Sequence, residues 1–203
     1  VAITNGYATL AEIKDLLEIT DTGDDTLLEL AVESASRMID AATGVRFYAD
    51  ATPTIRYYSA THADHLDVDP VATTTGLAVA VDTAGDGTYS TAWVANTDYR
   101  LEPINADGKP FTRIVATGSK RFTTASGYLT GYRGVRVTAT HGWAAVPIAI
   151  KQATLLLAAR VFNRKHAPFS VLQTPEVGVT YVPKLDADVE SLVRPYRVMW
   201  GVA

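Results

Sequence analysis

Helical periodicity at both ends of the chain, with β texture between them, limits what this sequence can build more than any other feature. The front carries two amphipathic patterns. In the first, Leu10, Ile13, Leu16 and Leu17 fall on one face behind Thr9-Leu10-Ala11-Glu12, where the threonine hydroxyl can cap a free amide and the glutamate can reach back. In the second, Leu27, Leu28, Ala31, Val32, Ala35, Met38, Ile39 and Ala42 repeat at helical spacing. Asp24 and Asp25 suit the positive end of that helix, and Gly44 is a left-handed stop. At the back, Val146-Pro147 opens a third helix, because proline is preset for a first helical position. From Ile148 to Phe162 only Lys151, Gln152, Thr154 and Arg160 interrupt the apolar run, which predicts burial on most sides. A last short helix is expected from about Asp186 to Arg194, ended or bent by Pro195, with Tyr196-Arg197-Val198-Met199-Trp200 as an exposed tail.

Between these pairs the texture is threonine, valine, tyrosine and glycine in short alternating segments, the signature of β structure. Strands are expected at Ile55 to Ser59, His65 to Val68, Leu77 to Asp82, Thr88 to Val94, Tyr99 to Pro103, Arg113 to Ala116 and Val135 to His141. Ala84-Gly85-Asp86-Gly87 reads as a hairpin turn and Asn105-Ala106-Asp107-Gly108 as another. A polar connection, His166 to Pro183, joins the last two helices. Neither helical pair can bury its own apolar face, so the two ends must meet. The expectation is an α+β chain: a helical bundle formed by the N- and C-terminal helices (7–47 and 146–197), an inserted antiparallel β domain (52–143) and a C-terminal tail (198–203).

Composition narrows the function classes. A chain of 203 residues can form a core without staples, and the absence of cysteine excludes disulfides, thiolate metal sites and thiol nucleophiles. With 47% hydrophobic and 20% charged residues it should fold, and its longest apolar run is far too short to span a bilayer; the start lacks a basic-then-apolar leader, so membrane anchoring is not expected. The net charge of −4 has the wrong sign for bulk nucleic-acid affinity. Its distribution is uneven: residues 1–50 carry 10 acids and 3 bases, and residues 151–203 carry 4 acids and 7 bases. Such polarity can favour the stacking of partners, although solvated helix faces also produce it.

Chemical motifs are sparse. His62-Ala63-Asp64-His65 offers metal-ligand types, but residues three apart on a strand point to opposite faces, so both imidazoles meet one ion only if a turn intervenes. A solvated edge strand or loop is the reading preferred there, and His141 and His166 read as structural. Asp82 with Asp86-Gly87 resembles part of a calcium loop, yet Ala84 and Trp93 stand at ligand positions, and a turn explains the residues better. No nucleophile elbow, Walker-type loop or His-Glu-x-x-His helix occurs, so neither an enzyme nor a cofactor is expected. The stretch from Lys120-Arg121-Phe122 to Tyr132-Arg133 interleaves basic and aromatic residues as nucleic-acid surfaces do, but also as a long hairpin with ordinary surface charge does. Arg194, Tyr196, Arg197, Met199 and Trp200 combine the residue types in which interfaces concentrate binding energy; alternatively Tyr196 and Trp200 fold back over the helices.

Three groups of segments carry a family resemblance. Tyr7-Ala8-Thr9-Leu10-Ala11-Glu12-Ile13-Lys14, Asp24-Asp25-Thr26-Leu27-Leu28 and Ile39-Asp40-Ala41-Ala42-Thr43-Gly44-Val45-Arg46-Phe47 form the first. Tyr99-Arg100-Leu101-Glu102-Pro103-Ile104-Asn105-Ala106 and Val135-Arg136-Val137-Thr138-Ala139-Thr140-His141-Gly142-Trp143, leading to Val146-Pro147, form the second, and Leu192-Val193-Arg194-Pro195-Tyr196-Arg197 the third. Together they resemble the tailed-phage head-tail connector (adaptor, head-completion) proteins. The resemblance implies a virion protein, assembled in the cytoplasm of a bacterial host, that forms a twelve-fold ring beneath the portal protein. The ring would extend the DNA channel, let double-stranded DNA pass without specific binding, and seat the downstream neck or tail-completion protein. It also implies that the helical domain builds the ring and that the C-terminal segment engages the portal, through Arg194, Tyr196, Arg197 and Trp200. The β insert departs from the smallest members, which are almost wholly helical. A stopper or tail-completion protein of the neck is the first alternative; a metal-dependent hydrolase using His62, His65 and the nearby aspartates is the second.

Overall fold

In the computed structural model, which describes residues 2–124, 131–164, 171–172, 180–181 and 187–197, a capping box starts the first helix, α1 (Leu10–Leu17). The Thr9 hydroxyl accepts from the Glu12 amide at 3.2 Å, and the Glu12 carboxylate accepts from the Thr9 amide at 2.8 Å, so two otherwise free donors are satisfied. Helix α2 (Asp25–Thr43) stops where Gly44 turns left-handed at φ 72° and its amide bonds the Asp40 carbonyl. Helix α3 (Ile148–Asn163) starts one residue later than expected. Pro147 stands at the cap with an extended backbone, rather than inside the first turn. Helix α4 (Ala187–Val193) runs into a 3₁₀ turn, Arg194–Tyr196, so Pro195 tightens the helix end and does not abolish it.

The chain divides into two compact units, Val1–Phe47 with Val146–Ala203, and Tyr48–Ala145. In the first, α2 packs along α3, α1 touches both, and α4 lies on α3. Leu28, Ala31, Val32, Ala35 and Ile39 of α2 are buried, as are Ile150, Ala153, Leu157 and Ala158 of α3; the alanines allow the backbones to approach closely. Buried hydroxyls are satisfied locally: Ser36 donates to the Val32 carbonyl and Thr154 to the Ile150 carbonyl, each at 2.8 Å. Tyr7 ties the beginning of this unit to the end of α2. Its hydroxyl donates to the Asp40 carboxylate and accepts from the Phe47 amide.

Helix α3 corrects one expectation. Its buried residues recur at three- and four-residue spacing, which is one face and not most sides, and Ile148 is 84% exposed. Its three helical neighbours cover that face alone. The connection read from His166 to Pro183 holds a short antiparallel pair, β8 (Val171–Leu172) with β9 (Thr180–Tyr181), pieces too short to show an alternating pattern.

The second unit is antiparallel β throughout. Strands β1 (Thr54–Tyr58), β7 (Val135–Ala139), β3 (Ala78–Val81) and β4 (Thr91–Trp93) form one sheet in that order; β2 (His65–Val71), β6 (Phe111–Ala116) and β5 (Tyr99–Glu102) form the other. Val79, Val81, Val135 and Val137 of the first sheet share a core with Leu66, Ile114 and Tyr99 of the second, closed by Trp93 and Phe122 with ring centroids 4.6 Å apart. Strand β2 runs past the expected Val68 to Val71. It does so through a register shift between Asp67 and Val71, where Pro70 has no amide to donate. Strand β4 is shorter than expected, because Thr88 is held in the preceding turn by the Asp86 carboxylate. The α+β class read from the sequence is therefore the class observed.

Candidate functional site

On the helical unit, the residues proposed to meet a partner divide into those engaged at home and those presented outward. Tyr196 packs edge-on against Phe47 at 5.6 Å, and Phe47 in turn packs edge-on against Tyr7 at 5.6 Å. Arg197 donates to the Ala42 carbonyl at 3.1 Å and pairs with Glu190 at 2.6 Å. The fold-back arrangement thus holds for Tyr196, while Arg194 is exposed; Trp200 and Met199 lie outside the described residues. The sequence did not single out what the helices leave uncovered. Leu27 and Leu30 are 48% and 52% exposed, and with Met38 they form a stripe on α2 away from its buried face. Ile148 and Leu156 form a second stripe on α3, opposite its buried face. Helix α2 carries four acids against Arg37, whereas α3 carries Lys151 and Arg160 and no acid.

On the β unit, the pairing of β1 with β7 sets Tyr57 opposite Arg136. The Arg133 guanidinium lies 4.5 Å over the Tyr57 ring, Arg136 lies 5.3 Å over Tyr89, and the two tyrosine rings are 5.4 Å apart. This cluster, two adjacent tyrosine rings each faced by an arginine, joins residues far apart in sequence. The middle of the basic-aromatic stretch read as a long hairpin, residues 125–130, lies outside the described residues. Phe122 is buried, Lys120 pairs with Asp98 at 3.7 Å, and Arg121 donates to backbone carbonyls of its own loop.

Asp82 is part of a turn. Its carboxylate accepts from the amides of Gly85 at 2.7 Å, Gly87 at 2.8 Å and Ala84 at 3.1 Å. Burial opposes its ionisation, but the backbone donors of Gly87, Gly85 and Ala84 outweigh burial and hold its pKa below the usual carboxylate value. Because the folded pKa is the lower one, the stabilisation is present above the unfolded value of about 3.9 and is lost as pH falls through the folded value. Asp82→Asn should therefore lower the melting temperature at neutral pH and flatten the decline below about pH 4. Parallel acid melts of the two proteins with unchanged slopes would refute this.

The other polar groups sort into structural roles. Asp69 accepts from Arg56 at 2.6 Å and from the Tyr58 hydroxyl at 2.9 Å. His141 is buried nearby, and its pKa is lowered first by burial and then by Arg56. A cleft of about 500 Å³ is lined by Leu77, Asn96, Tyr99, Leu101 and Phe111, with Arg100 its charged side chain. That lining offers no acid–base pair. His62 and His65 do not obey the strand geometry assumed for them. A bend over 61–64 precedes β2, and it stacks the two imidazoles with centroids 4.4 Å apart and planes 15° apart. Among the described residues no helix is long and apolar enough to cross a membrane.

The fold is thus an α+β pair of units whose described surfaces include apolar stripes on α2 and α3 and an arginine–tyrosine cluster. Residues 7–83 match the family of phage gp6-like head-tail connector proteins, which is the family the sequence segments resemble. The match spans α1, α2 and β1 to β3. The whole chain matches a solved chain described as "Neck of empty GTA particle computed with C6 symmetry", at 23% identity and a TM-score of 0.57, covering 100% of this chain and 95% of that one; the two share a fold. No curated protein matches the chain.

Proposed function

We propose that the protein is a structural component of the virion neck that assembles as a ring beneath the portal, extends the DNA channel and provides the platform for the next neck or tail component. One observation carries the reading: the helical unit exposes two different apolar stripes, Leu27–Leu30–Met38 on α2 and Ile148–Leu156 on α3. A ring closes through head-to-tail contacts, each copy presenting one surface to the other surface of its neighbour, and the paired stripes supply two such surfaces. The family match over residues 7–83 and the fold shared with the neck chain support the location. The net charge of −4 suits a channel wall from which DNA must slide, since every phosphate contact adds affinity.

The test is assembly at the neck. Leu30→Glu and Ile148→Asp should each abolish ring formation on the portal, read by electron microscopy or native mass spectrometry, while leaving the monomer's melting temperature within about 2 °C, because both side chains are exposed. Full rings from both variants would overturn the stripe interface. The resemblance points to twelve copies; a twelve-fold ring contains six-fold symmetry, so the counting has to be done on this protein. Portal engagement by the C-terminal segment is tested by deleting residues 198–203, which spares the Tyr196 and Arg197 packing. Unchanged attachment would remove that tail, including Trp200, from the mechanism.

A further inference from the structure

We propose that the bend before β2 forms a binding site for one divalent first-row transition-metal ion of the Zn²⁺ class, held by His62, Asp64 and His65. Each of the three side chains offers a ligand atom, and these atoms lie within 4.8 Å of one another. In a tetrahedral Zn²⁺ site with bonds of about 2.0–2.1 Å, ligand atoms stand roughly 3.4 Å apart. The shortfall is small. His62 and Asp64 are exposed on the bend, so rotation of their side chains closes it without moving the strand.

The donor set selects the metal class. Two imidazoles with one carboxylate suit Zn²⁺, Ni²⁺ or Cu²⁺, whereas Ca²⁺ and Mg²⁺ require mostly oxygen. The Asp64 carboxylate stands 2.9 Å from His65 Nδ1, near the spacing of two ligand atoms on one ion, and the proton they share leaves to solvent when both turn to the metal. Asp64 and His65 then bind through these two atoms, and His62 supplies the third ligand. The nearby Asp67 is engaged by Arg113 at 2.7 Å and stands outside the set. Among the described residues three ligands converge, and the remaining positions go to water or to a donor from a neighbouring component.

Isothermal titration of Zn²⁺ and Ni²⁺ into the untagged full chain should show one equivalent bound. His62→Ala and His65→Ala should each weaken it by more than about tenfold, Asp64→Asn by about 10-fold or more, and Asp67→Asn or His166→Ala by less than twofold. Paramagnetic broadening by Ni²⁺ in the unaltered protein should centre on His62 and His65, a readout that needs no variant to fold. Absence of saturable binding, binding that survives loss of both histidines, or broadening centred elsewhere would overturn the proposal. None of these outcomes depends on ring assembly, so the site and the neck function fail separately.

Discussion

Gly142→Ala is expected to destabilise the β unit by about 3–5 kcal/mol, a large share of the roughly 5–15 kcal/mol that keeps an ordinary domain folded. Gly142 has φ +118°, and a Cβ there would stand 2.0 Å from the Tyr48 carbonyl oxygen, 2.8 Å from Ala49 Cα and 2.9 Å from the Tyr48 carbonyl carbon. All three are backbone atoms, so no side chain can swing away. The backbone is also pinned: the Gly142 amide donates to the Pro70 carbonyl at 2.7 Å, and the Asp50 amide donates to the His141 carbonyl at 2.8 Å. Relief of the clash must break those bonds. Gly108 provides the control, because it too has positive φ, +78°, but nothing lies within 4 Å of its added Cβ. Gly108→Ala should cost only the left-handed backbone term, about 1–2 kcal/mol. Urea denaturation of the two variants measures the difference directly, and equal losses would show that φ, not the close approach of Tyr48, is what demands glycine.

Local chemistry made much of the fold legible in the sequence. Thr9 and Glu12 stand three residues apart, and their capping box forms as that spacing requires; Gly44 ends α2 for the reason that it tolerates φ 72°. The alternating valines of β3 and β7 likewise fall on the core face. What escaped the sequence depends on distant pairing. Tyr57 meets Arg136 through the β1–β7 register, Tyr89 reaches them from the segment before β4, and Tyr196 turns inward onto Phe47, which follows α2. His62 and His65 meet because a bend replaces the strand that would have separated them. Helix α3 shows the deepest limit: apolar residues that face a neighbour within the protomer and those left for another molecule look the same in sequence, and only coordinates separate Leu157 from Leu156.

That separation makes the second large prediction. Leu157→Ala should cost the helical unit about 2–5 kcal/mol, because Leu157 is 1% exposed on the face of α3 that packs against α2, and truncation leaves a cavity the close alanine packing cannot collapse into. The adjacent Leu156→Ala should cost about 1 kcal/mol or less, because that side chain is 38% exposed on the opposite face. Assembly should follow a different rule. At a temperature where both variants remain folded, Leu156→Ala should reduce ring formation on the portal and Leu157→Ala should not, since only the former removes area from the outward stripe. Melting curves and ring counts on the two proteins give four results, and the stripe interface requires them to cross. A Leu156→Ala protein that melts normally and assembles normally would show that the outward face of α3 is not where copies meet.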